Sequence, residues 1–280
     1  MATAEVLPPH DVPTSLNYYK PIDDDQVPYN YAYETPEGVP RSNVGIEPHP
    51  VVIHDVRGKE DSVSLDTTGF QFVKHVSSEK DFLDEEAIKT SYYKEVEELL
   101  KTEAGAKRVF IFDHTIRRYT EDNRNENPPL RGPVQRVHID QTFQASVNRV
   151  RHHLGDDADR LLKGRVRIIN VWRPIGHPVY DKPLAVADWR TLDKEHDLVP
   201  VRLIYPNYEG STYSVRYNPT HRWHYLSNQT PDEVLFIKCY DSEEDRARLT
   251  PHTAFVDASV PEDAPHRESI EVRVLVFDTE

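Results

Sequence analysis

The stretch RVHIDQT, residues 136–142, alternates polar and apolar side chains in the manner of a β-strand. A period of two places His138 and Asp140 on the same face, so that an imidazole and a carboxylate converge on one point. These groups are two of the three ligands of a 2-His-1-carboxylate triad, which holds Fe(II) and leaves three coordination positions open. Because an H-x-D triplet arises often by chance, the prediction of a metal site depends on a second histidine elsewhere.

Two further elements near the end of the chain can complete such a site. Residues 232–241, DEVLFIKCYD, follow a Thr-Pro turn signal and predict a buried strand, after which His252 stands in PHTAF. Residues 267–277 predict another strand, whose period of two places Arg267 and Ser269 on one face with Glu271 and Arg273. A guanidinium beside a hydroxyl suits a carboxylate. This pair is therefore a candidate anchor for an anionic co-substrate.

The order of these elements resembles the double-stranded β-helix oxygenases, in which a distal histidine and a co-substrate arginine lie on the last two core strands. Separated motifs extend the resemblance over roughly residues 60–278. They are, in chain order, DTTGF (66–70), DFLDE (81–85), YYKEVE (92–97), GA (105–106), FDHTIR (112–117), NVWRP (170–174), PLAVAD (183–188), HRW (221–223), TPDE (230–233), KCYDS (238–242) and RESIEVR (267–273).

With these motifs the chain resembles the fungal and bacterial hydroxylase/desaturase family of non-haem Fe(II)/2-oxoglutarate oxygenases. That family includes aspergillic-acid hydroxylase-like proteins, a gibberellin desaturase, the small component of cephamycin methoxylation and a meroterpenoid endoperoxidase. The resemblance implies a mainly β, jelly-roll (cupin-like) barrel with flanking helices, an α+β fold. It also implies oxidation of a small-molecule secondary metabolite by hydroxylation, desaturation, cyclisation or a related C–H oxidation. The outcome and the substrate are not fixed by family membership.

The resemblance implies a role for each candidate residue. His138, Asp140 and His252 would hold Fe(II), while Arg267 and Ser269 would bind the far carboxylate of the co-substrate 2-oxoglutarate, with O₂ as the oxidant. His221 is an alternative third ligand, although it precedes the strand at 232–240 and so stands one hairpin too early in the usual strand order. Trp223 and Tyr225 share its predicted strand face. We expect these three residues, together with Asn170 and Trp172, to contact the substrate or to support the metal ligands.

The predicted helices and strands place these candidates. Residues 84–102 predict an amphipathic helix that ends at Gly105 and backs the barrel, preceded by Ser78 as the cap of a short segment, and residues 109–112 predict a strand. Residues 144–162 predict a helix interrupted near Gly155. The strand predicted at 165–173 turns Asn170 and Trp172 towards the pocket and Arg173 away from it.

Length and composition limit the functions that this protein can have. In 280 residues we expect an N-terminal arm, residues 1–60, packed on a double-stranded β-helix oxygenase domain, residues 61–280. A net charge of −14 disfavours a nucleic-acid partner. No apolar run of signal or membrane-spanning length appears, and the single cysteine excludes an intrachain disulfide. We therefore expect a cytoplasmic enzyme with no membrane partner, and the sequence is compatible with a homodimer.

Two other functions are compatible with the same motifs. One is a dioxygenase that uses a metal and O₂ without 2-oxoglutarate, in which Arg267 would bind a carboxylate of the substrate. The other is a non-catalytic, cupin-like protein that binds a metabolite. Release of succinate coupled to consumption of 2-oxoglutarate distinguishes the expected enzyme from both.

Overall fold

The computed structural model describes residues 7–22, 26–33, 35–118 and 132–280. Within these residues the chain forms fourteen strands in two sheets, together with four α-helices. The strands are β1 (Val12–Lys20), β2 (Tyr29–Tyr31), β3 (Gly45–Asp55), β4 (Phe70–Lys74), β5 (Arg108–Arg117), β6 (His138–Ile139), β7 (Val166–Pro174), β8 (Leu184–Ala187), β9 (Leu198–Ile204), β10 (Glu209–Val215), β11 (Trp223–Tyr225), β12 (Glu233–Asp241), β13 (His252–Ala254) and β14 (Ser269–Phe277).

The helices lie in two groups along the chain. They are α1 (Glu85–Ala87), α2 (Tyr93–Ala104), α3 (Phe143–Leu154) and α4 (Ala158–Leu161). A π-helical turn, Ile88–Tyr92, joins α1 to α2, and a 3₁₀ turn, Gly155–Asp157, joins α3 to α4. In the described residues no helix is long and apolar enough to cross a membrane.

Nine strands form the larger sheet in the order β1-β3-β11-β8-β13-β6-β10-β9-β2, and five form the smaller sheet in the order β4-β12-β7-β14-β5. The two sheets curl, and helices flank them. This is the mainly β architecture with flanking helices that the sequence predicted. Strands β6 and β13 are neighbours at the middle of the larger sheet, although they are distant in sequence. This topology brings the two predicted histidine ligands together.

The smaller sheet is covered on both faces, and this explains why every residue of β7 is buried. Alternate residues of β7 point in opposite directions. Ile168 and Trp172 join the core between the two sheets, whereas Ile169 and Val171 join the core beneath α2. Arg173 also points away from the barrel interior, as predicted, where its guanidinium donates to the backbone oxygen of His75 at 2.8 Å.

Helix α2 backs the outer face of the smaller sheet. Val96, Leu99 and Leu100 are buried against that sheet, and Gly105 ends the helix in the left-handed conformation at φ 63°. Ser78 caps no helix. Its backbone N–H donates instead to a carboxylate oxygen of Glu95 at 2.9 Å.

The strand predicted at 109–112 is longer in the structure, because β5 continues to Arg117. Asp113 and His114 therefore lie within this strand. The predicted helix at 144–162 is observed as α3 and α4, and Thr142 caps it by accepting from the backbone N–H of Ala145.

The described part of the N-terminal arm supplies β1, β2 and β3 to the larger sheet. β1 pairs with β3 along its whole length, and β3 in turn runs parallel to β11. Leu16 and Tyr18 are buried in the core of this sheet. Residues 7–22, 26–33 and 35–60 thus contribute strands and connections of the larger sheet.

Candidate metal centre

The structure brings His138, Asp140 and His252 into one cluster. Their ligand atoms all lie within 4.8 Å of one another. His138 opens β6 and His252 opens β13, where the two residues are direct cross-strand partners. Their ring centroids lie 4.4 Å apart. Asp140 follows β6, and a period of two turns its side chain to the same side as His138.

Backbone carbonyls fix the orientation of both imidazoles. Nδ1 of His138 donates to the carbonyl oxygen of Arg136 at 2.8 Å, and Nδ1 of His252 donates to that of Thr250 at 3.0 Å. Because a carbonyl only accepts, each Nδ1 carries the proton, and each Nε2 retains its lone pair. The Nε2 atoms lie 3.5 Å and 3.9 Å from Oδ1 of Asp140, for His138 and His252 respectively. The nitrogens with free lone pairs are therefore the two Nε2 atoms, which are also the ring nitrogens nearest the Asp140 carboxylate.

The two oxygens of Asp140 have different surroundings. Oδ2 accepts from Nδ2 of Asn170 at 2.6 Å and lies 3.5 Å from Nε of Arg273. Oδ1 faces the two histidines. The neighbours of Oδ2 hold the carboxylate in place and leave Oδ1 for a metal ion, which is the usual division between a ligand atom and its support.

The protonation states suit metal binding. Burial alone would raise the pKa of the Asp140 carboxyl, but its polar contact with His138 and the charge of Arg273 hold that pKa well below the ordinary value. Burial, reinforced by the neighbouring His138, lowers the pKa of His252. A carboxylate that stays ionised and an imidazole that stays neutral are the forms that coordinate a metal.

The donor set of two imidazole nitrogens and one carboxylate oxygen fits Fe(II) with open coordination positions. Each imidazole already donates its other N–H to a carbonyl, as ligating histidines generally do. The residues present therefore fit the metal that the sequence predicted.

The cluster lies in a cavity of about 350 Å³, including its mouth. Arg267 lines this cavity and is buried, with 3% of its surface exposed. Its Nη1 donates to the carbonyl oxygen of Lys182 at 2.8 Å, and its Nε is buried without a hydrogen-bond partner. Among the described residues no carboxylate lies within 4 Å of Arg267. Burial and the nearby Arg117 lower the pKa of Arg267 to about 9, so the site favours a bound anion.

Trp172 and Asn170 lie where the strand alternation placed them. Trp172 lines the cavity, and its ring lies 5.5 Å from the guanidinium carbon of Arg267. Asn170 supports Asp140. Ser269 is buried at the start of β14, opposite Arg117 of β5, but it is outside the set of residues that line the cavity.

His221, Trp223 and Tyr225, which we expected to contact the substrate or to support the metal ligands, are outside the set of residues that line this cavity. Nε2 of His221 lies 2.9 Å from Oδ2 of Asp197, and its Nδ1 lies 3.2 Å from the hydroxyl of Tyr18. Trp223 donates its indole N–H to the Tyr18 hydroxyl at 2.7 Å. The hydroxyl of Tyr225 donates to the backbone oxygen of His10 at 2.7 Å.

Within HRWHY, residues 221–225, Trp223–Tyr225 form a strand of the larger sheet, β11, and His221 lies just before it. His221 faces the core on the side of that sheet that contains Tyr18 and Trp223, and it does not join the cluster of His138, Asp140 and His252.

Arg273 is a site residue to which the sequence assigned no role. Its guanidinium contacts the Glu271 carboxylate at 2.7 Å, Oδ2 of Asp113 at 3.0 Å and the Thr115 hydroxyl at 2.9 Å. Burial would lower the pKa of Arg273, but Glu271, Asp140 and Asp113 raise it. The alternation of β14 indicated the side to which Arg273 points, but its contact with Asp140 depends on how two sheets face one another.

Comparisons with known proteins extend over the same strands. A family model described as an oxidoreductase/YMDC permease-like domain matches residues 16–277. The hydroxylase/desaturase efuI of Hormonema carpetanum is 38% identical over an alignment of 298 positions, which covers 98% of this chain and 97% of that protein. The Fe(II)/2-oxoglutarate-dependent dioxygenase nvfI of Aspergillus novofumigatus is 38% identical over 257 residues, or 88% of this chain and 90% of that protein.

The solved structure of the iron and alpha-ketoglutarate-dependent endoperoxidase NvfI is similar in three dimensions. Its TM-score is 0.85 at 35% sequence identity, and the match covers 95% of this chain and 98% of that one. This similarity to a jelly-roll oxygenase confirms the predicted double-stranded β-helix fold.

Proposed function

The chain belongs to the family of hydroxylase/desaturase proteins and Fe(II)/2-oxoglutarate-dependent dioxygenases, and we propose that His138, Asp140 and His252 hold its iron. It is an oxidoreductase that uses Fe(II), 2-oxoglutarate and O₂ and acts on a small-molecule secondary metabolite. The observation that carries the assignment of ligands is the cross-strand pair of imidazoles, whose Nε2 atoms both lie near Oδ1 of Asp140.

Arg267 binds the far carboxylate of 2-oxoglutarate. Its buried guanidinium lines the same cavity as the metal cluster and has an unpaired Nε. An arginine fork forms two parallel hydrogen bonds to a carboxylate. Trp172 stacks near this guanidinium and keeps water from one of its faces. Ser269 is a further candidate for this subsite, because it is buried on the strand that follows Arg267.

When bound, Fe(II) supplies the oxidative decarboxylation of 2-oxoglutarate to succinate and CO₂, coupled to oxidation of a substrate C–H bond. The residues of this chain contribute position and exclusion of water. Asn170 and Arg273 hold Asp140 by Oδ2 and leave Oδ1 for the metal. The backbone oxygens of Arg136 and Thr250 hold the two imidazoles in the tautomer that coordinates through Nε2. Hydroxylation, desaturation, cyclisation and related oxidations differ in where the substrate is held relative to this centre.

An anaerobic titration of the full-length protein with Fe(II) and then 2-oxoglutarate tests this assignment without a substrate. We expect the weak visible absorption band of a chelated 2-oxoglutarate to appear at one equivalent of each. His252→Ala should abolish the band, and Arg267→Gln should shift its midpoint to higher 2-oxoglutarate concentration. A band of undiminished intensity in His252→Ala would refute the proposed ligand set.

A dioxygenase that does not use 2-oxoglutarate and a non-catalytic binding protein are disfavoured by the relatives, which are named as Fe(II)/2-oxoglutarate-dependent enzymes. We also propose that the enzyme works in the cytoplasm, since a ferrous site and a single, buried, unpaired Cys239 suit reducing surroundings. Fractionation of source cells tests this, and recovery of the enzyme mainly in a membrane or secreted fraction would contradict it.

A further inference from the structure

Glu271 places a carboxylate in the wall of the metal cavity, and neither the proposed iron site nor the proposed 2-oxoglutarate site uses it. Glu271 lies on β14 directly opposite Trp172 of β7, and opposed residues of an antiparallel pair share one face of the sheet. It is buried, with 9% of its surface exposed, and like Trp172 it lines the cavity that contains the metal cluster. The carboxylate therefore faces whatever molecule enters this cavity.

The two oxygens of the Glu271 carboxylate differ in their contacts. Oε1 accepts from Nη2 of Arg273 at 2.7 Å. Oε2 forms no hydrogen bond with a residue in the described part of the chain, and it is not fully buried. Because the side chain forms part of the cavity wall, Oε2 is an acceptor that a molecule in the cavity can reach.

Glu271 lies close to the proposed iron ligands. The guanidinium of Arg273 contacts Glu271 through Nη2 and lies 3.5 Å from Oδ2 of Asp140 through Nε, so one planar group separates the two carboxylates. Burial and the neighbouring His138 lower the pKa of His252, and the charges of Asp140 and Glu271 oppose that shift. A molecule that bonds to Oε2 therefore occupies the same cavity as the metal ligands.

The partner of Oε2 is a hydrogen-bond donor, which excludes 2-oxoglutarate. Both carboxylates of that co-substrate are ionised, so they only accept, and the charge of Glu271 repels them. The 2-oxoglutarate dianion has its own counter-charges in Arg267 and the ferrous ion.

A cationic donor is disfavoured as well. Glu271 is already paired with Arg273, and Arg117 and Arg267 line the same cavity. The charges of Fe(II), Asp140, 2-oxoglutarate and Arg267 cancel, so no negative charge is left for a cation to neutralise. What remains is a neutral donor, and a hydroxyl group forms a short, strong hydrogen bond with a carboxylate.

We propose that Glu271 contacts the organic substrate, and that the substrate is a neutral alcohol whose hydroxyl group donates to Oε2. This contact holds the alcohol beside the iron and distinguishes it from analogues without the hydroxyl. The inference rests on the proposed function, since it assigns a property of the substrate of that oxygenase, but Glu271 neither holds the iron nor binds 2-oxoglutarate.

Cyclohexanol tests the proposal, with cyclohexyl methyl ether as the matched probe that accepts hydrogen bonds and donates none. Both are titrated by calorimetry, under anaerobic conditions, into the full-length protein loaded with Fe(II) and saturated with 2-oxoglutarate. We expect the wild type to bind the alcohol about tenfold more tightly than the ether, or better. Glu271→Gln should reduce that preference about three- to tenfold, because a charged acceptor becomes a neutral one. Glu271→Met, which has no such acceptor, should abolish it.

Asp113→Asn is the matched control. Asp113 also accepts from Arg273, at 3.0 Å, but it is exposed and outside the set of residues that line the cavity. Its replacement should disturb Arg273 without changing the preference for the alcohol, so a purely structural role of Glu271 would affect both variants alike.

Four results would overturn the proposal: no saturable binding of cyclohexanol by the wild type, equal affinities for alcohol and ether, an undiminished preference in Glu271→Met, or an equal reduction in Asp113→Asn. The absorption band of chelated 2-oxoglutarate should be present in the wild type and in Glu271→Gln. Absence of that band from the wild type would identify failure of the proposed function instead.

Discussion

His138 and His252 are directly opposed residues of adjacent antiparallel strands, and their imidazole centroids lie 4.4 Å apart. Strand pairing alone thus fixes the separation of these two proposed metal ligands. No loop has to be ordered to bring them together, and sites built on strands are held more precisely than sites on loops.

The first prediction concerns the third ligand. His252→Ala should reduce Fe(II)-dependent succinate formation at least about a hundredfold, because only two protein ligands remain. His138→Ala and Asp140→Ala should behave alike, and circular dichroism should show the fold intact in all three. Unchanged turnover of any of these variants after metal repletion would contradict the assignment.

His221→Gln is the matched control for that experiment, since His221 is the histidine that the sequence offered as an alternative ligand. It should retain Fe(II) binding and lose about 1–3 kcal/mol of stability, because Asp197 is left with a weaker buried partner. Calorimetry and iron titration measure the two effects. Loss of iron with unchanged stability would instead identify His221 as the ligand.

A second prediction concerns Arg267. Arg267→Gln should raise the dissociation constant of 2-oxoglutarate roughly ten- to hundredfold, since it removes a charge-assisted pair worth about 1.5–3 kcal/mol. Fe(II) affinity in the absence of 2-oxoglutarate should change little. The absorption band of the chelate reports both quantities, and Arg222→Gln, an exposed change outside the cavity, serves as control.

Arg273 should act through Asp140. Arg273→Gln removes the contact to Oδ2 while Asn170 still holds that oxygen, so we expect Fe(II) affinity to fall about tenfold to a hundredfold. Competition with a chromophoric chelator measures this on protein without 2-oxoglutarate or O₂. An unaltered iron affinity in folded Arg273→Gln would show that Asn170 alone positions the carboxylate.

The fourth prediction concerns stability in acid. Burial lowers the pKa of His224 to about 4, with Asp188 opposing and His54 adding to the shift, whereas the unfolded chain titrates this group near 6.5. As the pH falls, His224 is therefore protonated in the unfolded chain before it is protonated in the folded chain. The free energy of unfolding decreases as the pH drops from about 6.5 to 4. Between pH 7 and 5 this should cost about 1–2 kcal/mol.

His224→Phe should remove that part of the loss, as unfolding in urea at the two pH values would show. The control is His196, which is exposed and whose pKa is raised by Asp193. Its replacement should not reduce the stability that the protein loses between pH 7 and 5. An equal loss in the wild type and His224→Phe would mean that His224 does not titrate as expected.

The sequence predicted that His138, Asp140 and His252 converge, because their positions follow from local rules and from strand order. A period of two aligned His138 with Asp140, and the order of the last strands selected His252 over His221. The partners of these ligands were not predictable in the same way. Arg273 reaches Asp140 across two sheets.

Other differences arise from partners distant in sequence. His221 resembled a ligand because nothing near it in the chain reveals Asp197 or Tyr18. In the expected N-terminal arm, VPTSLNYYK, residues 12–20, has buried residues at Val12, Leu16 and Tyr18 and forms a strand. Its partners, β3 and the segment leading to β6, lie further along the chain.

The pairing of β13 with β6 also determines when the iron site can exist during synthesis. His138 leaves the ribosome long before His252, and the strand that carries Arg273 is the last of the described strands to emerge. A nascent chain that has not yet exposed residue 252 therefore lacks one of the three proposed ligands. Folding dominated by such distant pairings is slow, so the proposed metal site is among the last features of the fold to be completed.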